Sequence, residues 1–199
     1  MHIYPETDRF LPREAKESLL AQKGAVLWLC GLSGSGKSTI ANLAERALHE
    51  AGSYTVALDG DTLRTGLNAG LGFSDEDRQE NIRRIAETAK ILANNGAIVF
   101  ISAITPRTSL RTQAAGILGA DYHEIYVKAS FELCQERDPK GLYAKAQRGE
   151  IPQFTGKDSA FEPPTAPSLL LDTEHDPAAT CAERLVAYAQ KVAKPDSAA

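Results

Sequence analysis

The stretch Ala25-Val26-Leu27-Trp28-Leu29-Cys30-Gly31-Leu32-Ser33-Gly34-Ser35-Gly36-Lys37-Ser38-Thr39 decides the fold. Ala25 to Cys30 reads as a buried strand, and Gly31 to Thr39 fits the phosphate-cradling pattern G-x-x-x-x-G-K-[ST]. Ile40, Leu43, Ala44, Ala47 and Leu48 follow at helical spacing, so the loop opens an amphipathic helix. A strand feeding a glycine-rich loop at a helix N-terminus aims backbone N–H groups and the positive helix end at one point, where a polyphosphate sits. This assigns Gly31, Leu32, Ser33, Gly34, Ser35, Gly36, Lys37, Ser38 and Thr39 to nucleotide triphosphate binding. Lys37 is placed against the β- and γ-phosphates, and the Ser38 hydroxyl is placed towards a Mg²⁺ ion. A glycine-rich turn matches the letters alone, but strand and helix on either side argue against so bland a reading.

Outward from this loop, apolar β-rich runs alternate with helical patterns, which predicts a parallel sheet covered on both faces. Strands are expected at Ala25 to Cys30, Tyr54 to Leu58, Ala97 to Ala103, Glu124 to Lys128 and Ser168 to Leu171. Helices are expected near Ser38 to Ala51, Asp75 to Asn94, Ser109 to Leu118, Phe131 to Glu136 and Pro177 to Val192. The fold class is therefore α/β, a three-layer α/β/α sandwich with a mainly parallel sheet of the P-loop NTPase type. Residues 1–22 read as an arm or short helix outside the core, 23–193 as the main domain and 194–199 as a polar tail.

With 199 residues, 43% of them hydrophobic, the chain suits one domain that buries a full core. A net charge of −4 argues against a broad phosphate-binding surface, so nucleic acid is not an expected partner. Cys30, Cys134 and Cys181 are odd in number, far apart and without C-x-x-C pairing, which fits a reducing compartment and buried apolar roles. No run approaches the roughly 18 apolar residues of a spanning helix, so no membrane partner is expected and the setting is read as cytoplasmic.

A second segment, Leu58-Asp59-Gly60-Asp61-Thr62-Leu63-Arg64, lies where strand two ends. Ligands of open α/β sheets bind beyond the carboxyl ends of the strands, so Asp59 and Asp61 face the phosphate loop. The strand at Ala97 to Ala103 ends without an acid, which leaves these aspartates to orient metal waters or to take a proton from an attacking hydroxyl. The competing reading is that one of the pair merely caps the next helix. Ser74 and Asp77 resemble a capping box before the apolar stripe Ile82, Ile85, Ala86, Ala89 and Leu92. Arg78 and Asn81 share one face of that helix, beside a glycine-rich loop carrying Phe73. A cation, an amide and a ring suit an anionic aromatic ligand, although arginines on a helix are also common as a solvated face.

Five blocks together carry a family resemblance: GLSGSGKST at Gly31 to Thr39, LDGD-x-x-R-x-GLN-x-x-LGFS at Leu58 to Ser74, DR-x-ENIRR at Asp77 to Arg84, RDPKGLYAKA at Arg137 to Ala146, and FTG at Phe154 to Gly156. From about Ile3 to Thr173 the chain resembles the adenylyl-sulfate kinases, which use ATP to phosphorylate the ribose 3′-hydroxyl of adenosine 5′-phosphosulfate. The resemblance implies that Arg64, Arg78 and Asn81 hold the phosphate–sulfate end and ribose of that acceptor, with Lys140 nearby and Ile104, Thr105 and Leu142 lining its site. Phe73 and Phe154 would sandwich its adenine. A helical lid at about 137–160 would close over ATP, with Arg137 on the ATP side. Asp59 becomes the preferred base, Asp61 stands close to the Mg²⁺ together with Ser38, and Lys37 neutralises charge on the transferring group. The resemblance further implies a homodimer and leaves a separate ATP sulfurylase open as a partner.

Three departures from the family pattern stand out. Thr105 occupies the place of a serine, Thr62 follows Asp61 where asparagine is usual, and Lys157 stands beside the adenine clamp. Direct in-line transfer needs no enzyme nucleophile, so Thr105 is expected to be structural or substrate-lining. These positions also leave open a related kinase acting on a different nucleotide-like alcohol. A nucleotide-binding switch is the rival from outside enzymes, but the chain has no N-K-x-D segment.

Overall fold

Period-two alternation sends the side chains of the first strand, β1 (Ala25–Cys30), to opposite faces, and both faces are apolar. Leu27 and Leu29 point into one cluster, Val26, Trp28 and Cys30 into another, and the whole strand is buried. In the computed structural model of the chain, which describes residues 9–150, 154–157 and 159–195, β1 is the middle of a five-stranded parallel sheet. The arm motif around Ile3, lid residues 151–153, Asp158 and the tail at 196–199 lie outside the described residues.

The other strands are β2 (Thr55–Asp59), β3 (Ile98–Ser102), β4 (Tyr122–Lys128) and β5 (Leu169–Asp172), in the spatial order β2-β3-β1-β4-β5. The helices are α1 (Arg13–Leu20), α2 (Lys37–Glu50), α3 (Gly60–Arg64), α4 (Asp75–Ala93), α5 (Thr108–Leu118), α6 (Phe131–Arg137), α7 (Leu142–Gln147) and α8 (Ala178–Val192). The expected α/β sandwich is present, with α2 and α8 packed over Leu27, Leu29, Ile98, Phe100 and Leu171, and α4 and α5 over Val26, Trp28, Val99 and Ile101. Among the described residues no helix is long and apolar enough to cross a membrane.

Boundaries moved by one or two residues where pairing overrode local pattern. Strand β4 starts at Tyr122 rather than at Glu124 because Tyr122 is in register with Val26. Strand β2 runs on to Asp59, opposite Ser102, which carries that carboxylate to the sheet's carboxyl edge. Helices α3 and α7 are too short for a hydrophobic period and had no separate signal. Helix α1 buries none of its own side chains. It is fastened by Arg13, which reaches Asp121 with two hydrogen bonds of 2.6 and 2.8 Å and donates to the Gly24 carbonyl.

The chain runs from β1 to β2 on one side and from β3 to β4 on the other, so the strand order reverses around β1. That switch point is where an open parallel sheet leaves a crevice at its carboxyl edge. The loops after β1, β2, β3 and β5 all reach this crevice.

Candidate active site

Backbone geometry makes the phosphate loop before any ligand arrives. Gly31 has φ +149°, and a Cβ there would lie 2.4 Å from the Val127 carbonyl oxygen, so only glycine lets the loop leave β1 this close to β4. Gly36, at φ +101°, turns the chain into α2. The first-turn N–H groups of Lys37, Ser38 and Thr39 have no acceptor within their own helix. The Ser35 hydroxyl is buried with no hydrogen-bond partner among the described residues. This concentration of donors fits a polyphosphate. Lys37 folds back and donates from Nζ to the carbonyls of Gly31 and Leu32 at 3.0 and 2.7 Å. Its burial pushes the amine down to about 8.

The sequence left the two aspartates with competing roles, and Asp59 has both. Its Oδ1 accepts from the N–H groups of Asp61 and Thr62 at 3.1 Å each, capping α3, while Oδ2 accepts from the Ser38 hydroxyl at 2.9 Å. Burial pushes this carboxyl up, but the bonds from Thr62 and Ser38 outweigh it and hold the group below the usual carboxylate range. Asp61 is more exposed and forms an ion pair with Lys140, arriving from the loop before α7. The Ser38 hydroxyl and the carboxylates of Asp59 and Asp61 form a set of hard oxygen donors suited to Mg²⁺.

Across the crevice, α3, α4 and the loop between them gather the predicted cation, amide and ring. The Arg64 guanidinium lies 4.5 Å from the Phe73 ring centroid and donates to the carbonyls of Leu71 and Gly72. Arg78 donates from Nε to the Phe73 carbonyl at 3.0 Å and from Nη1 to Thr155 Oγ1 at 3.3 Å. Burial lowers the pKa of both guanidiniums, so an anion placed between them restores solvation that the protein withholds. Asn81 accepts at Oδ1 from Asn68 Nδ2 and is buried. Arg64 and Arg78 therefore line the crevice, whereas Arg83 and Arg84, on the same helix as Arg78, pair with Glu80 outside it. Phe73 is 57% exposed, whereas Phe154 is 7% exposed and meets Tyr143 edge-to-face at 4.9 Å.

Thr105 is buried at φ +44°. Its Oγ1 accepts from Trp28 Nε1 at 2.9 Å and donates to the Ala103 carbonyl at 3.3 Å, so its hydroxyl is committed to the protein interior. The Ile104 carbonyl accepts from Gly31 N–H at 3.2 Å, tying this wall to the phosphate loop.

Residues of the segment expected as a lid contact the phosphate loop and its neighbours. Arg137 donates to the hydroxyl and carbonyl of Thr173 at 3.1 and 2.7 Å, and Thr173 in turn donates to the Ser35 carbonyl at 3.0 Å. The Tyr143 hydroxyl donates to the Ser33 carbonyl at 2.8 Å, while Leu142 packs with Phe131 and Leu133 on the small apolar cluster beneath α7. Lys157 Nζ donates to the Ala146 carbonyl at 2.7 Å and is thereby anchored to the lid helix. Tyr143 and Thr173 were not singled out in the sequence. Tyr143 lies inside the RDPKGLYAKA block but offers no charge to notice, and Thr173 reaches the loop only because β5 sits beside β4.

One cleft of about 1120 Å³ is lined by the phosphate-loop residues Lys37 and Ser38, by Asp59, Asp61 and Arg137, by Arg64, Phe73, Arg78, Asn81 and Phe154, and by Ile104, Thr105, Lys140 and Leu142. That volume exceeds the roughly 300–1,000 Å³ of a site for one small molecule. The cleft is larger than one small ligand needs.

The family described as adenylylsulphate kinase matches residues 23–172. The chain is 47% identical over 186 residues to the adenylyl-sulfate kinase of Clostridium acetobutylicum, covering 94% of this chain and 92% of that one. It is 55% identical over 173 residues to the adenylyl-sulfate kinase of Phocaeicola vulgatus, covering 86% and 85%. Among solved structures, the Mycobacterium tuberculosis APS kinase CysC in complex with AMPPNP and APS superposes with a TM-score of 0.80 at 44% identity, over 83% of this chain and 96% of that chain.

Proposed function

The chain belongs to the adenylylsulphate kinase family, and on that premise we propose that its cleft transfers the γ-phosphoryl group of ATP to the 3′-hydroxyl of adenosine 5′-phosphosulfate, releasing ADP and 3′-phosphoadenosine 5′-phosphosulfate. The observation that carries the residue roles is the single cleft lined both by the phosphate cradle and by Arg64, Arg78 and Phe73.

The loop from Gly31 to Thr39 and Arg137 hold the triphosphate, and Lys37 exchanges its carbonyl partners for phosphate oxygens. Mg²⁺, held by Ser38 and by Asp59 and Asp61 directly or through water, would draw charge from the β- and γ-phosphates when bound. Arg64, Arg78 and Asn81 grip the phosphate–sulfate end and ribose of the acceptor, and Phe73 and Phe154 flank its adenine. Asp59 Oδ2 takes the proton of the 3′-hydroxyl as that oxygen bonds to the γ-phosphorus and the bond to the β-phosphate oxygen breaks. Its depressed pKa keeps it ionised at neutral pH, so it is free to orient the hydroxyl and to accept its proton as the bond to phosphorus forms. Lys140, Leu142 and Tyr143 close the lid and keep water from the phosphoryl donor.

Residues 23–193 form the kinase domain on this reading, which extends to a cytoplasmic homodimer. The three free, buried cysteines and the exposed Phe10, Leu11 and Leu19 support it.

ADP release with and without adenosine 5′-phosphosulfate, and with nucleoside monophosphates as competing acceptors, tests the assignment. Asp59→Asn is expected to lower kcat by about 10²–10⁴-fold with little change in acceptor KM. Phe73→Ala is expected to cost about 1–3 kcal/mol, a roughly 5- to 150-fold rise in acceptor KM, with kcat nearly kept. Equal effects of both variants on kcat and KM would undo this division of roles.

A further inference from the structure

We propose that Arg111 is a positioning residue for the acceptor half of the cleft, clamping the segment Ile104 to Pro106 in a left-handed kink that forms part of the wall between the two ligands. The inference rests on the preceding assignment of that half to the acceptor. Ile104, Thr105 and Pro106 line the cleft, whereas Arg111 lies behind them and is 4% exposed. A φ of +44° is rare for a β-branched residue, which persists there only when its surroundings over-determine it.

The surroundings of Thr105 do so from several sides. Arg111 Nη1 donates to the Thr105 carbonyl at 3.0 Å and Nη2 to Thr108 Oγ1 at 3.1 Å. Its Nε lies 2.7 Å from Glu124 Oε1 on β4, so the fork cannot swing away without parting a buried ion pair. From below, Trp28 fixes the Thr105 hydroxyl. From above, the chain returning from the lid adds the Phe161 ring, 5.9 Å from the Arg111 guanidinium, and Glu162, whose N–H donates to the Pro106 carbonyl at 2.8 Å. The same contacts that hold the acceptor wall thus also anchor the far end of the lid.

Arg111 reaches the reaction only through the segment it clamps, so its loss should misplace the acceptor more than ATP. Arg111→Lys keeps a cation for Glu124 but gives up the fork. In the full chain it is expected to raise KM for adenosine 5′-phosphosulfate about tenfold while KM for ATP stays within about twofold. Glycine adopts φ +44° with no clamp, so in the Thr105→Gly background the same change should raise acceptor KM by no more than about threefold. Equal rises for both substrates, or the same rise in both backgrounds, would overturn the proposal and leave Arg111 with a role in stability alone. Should Arg111→Lys fail to fold, Trp28→Phe removes one donor to Thr105 and keeps an aromatic core residue. It is then expected to raise acceptor KM several-fold with KM for ATP unmoved, and no change would overturn the clamp. Absence of acceptor-dependent ADP release by the unaltered protein would instead sink the assignment of the acceptor.

Discussion

Lys37 holds a positive charge where burial penalises it, and that conflict makes nucleotide binding a proton-linked event. The amine is pushed down to about 8, below the ordinary lysine range, so between about pH 8 and 10 the unfolded chain binds more protons than the folded one. Stability owed to this group therefore rises with pH across that window. A bound triphosphate does the opposite to the amine, since its negative charge favours the ammonium form. Calorimetry near pH 9, in buffers of different ionisation enthalpy, is expected to show uptake of up to about one proton on ATP binding. Near pH 6.5 the uptake at Lys37 should vanish, and ATP affinity should fall as pH climbs through about 8. Binding enthalpies independent of buffer at pH 9 would contradict this. The Asp59 carboxylate, held low, stays ionised throughout that range.

At the level of elements, the segment proposed as a lid is tied to the site by bonds from Tyr143 and Lys140. Helix α7 is only Leu142–Gln147, capped by Asp138, which accepts from the N–H groups of Tyr143 and Ala144 at 3.1 and 3.0 Å. Its Tyr143 hydroxyl donates to the Ser33 carbonyl, and Lys140 pairs with Asp61. Loss of one such hydrogen bond costs about 1 kcal/mol, small for folding but enough to change how often a short lid opens several-fold. Tyr143→Phe is therefore expected to raise ATP hydrolysis without acceptor relative to phosphoryl transfer, at nearly constant melting temperature. An unchanged ratio of hydrolysis to transfer would show that the hydroxyl does not hold the lid. Helix α1, by contrast, buries nothing of its own and depends on Arg13, so its amides should exchange sooner than those of α2.

Across the whole molecule, two apolar layers press on one sheet, and the sheet's outer strand carries part of the site. Leu171 on β5 is fully buried in the cluster beneath α2 and α8, and the next residues lead to Thr173, which holds Arg137. Leu171→Ala is expected to destabilise the protein by about 3 kcal/mol and lower Tm by about 6–12 °C. Thermal unfolding checks this, and a shift under about 2 °C would mean that the layer repacks around the gap. Much of this architecture was legible in the chain itself. The G-x-x-x-x-G-K-[ST] spacing, the near-continuous apolar run of β1 and the stripe along α4 are local patterns, each with a single well-packed solution. So are Asp59, the last residue of β2, and Asp61 just beyond it, because a strand's carboxyl end in a parallel sheet points to the crevice. Short helices such as α3 and α7 left no period to read, and the kink at Thr105 left none either, since threonine has no local preference for it. The bond from Trp28 to Thr105, the Arg111–Glu124 pair and the reach of Thr173 to Ser35 join residues distant in the chain. Such contacts exist only after β3 and β4 have taken their places beside β1 and β5 beside β4, because their free energy comes from neighbours that no stretch of sequence contains.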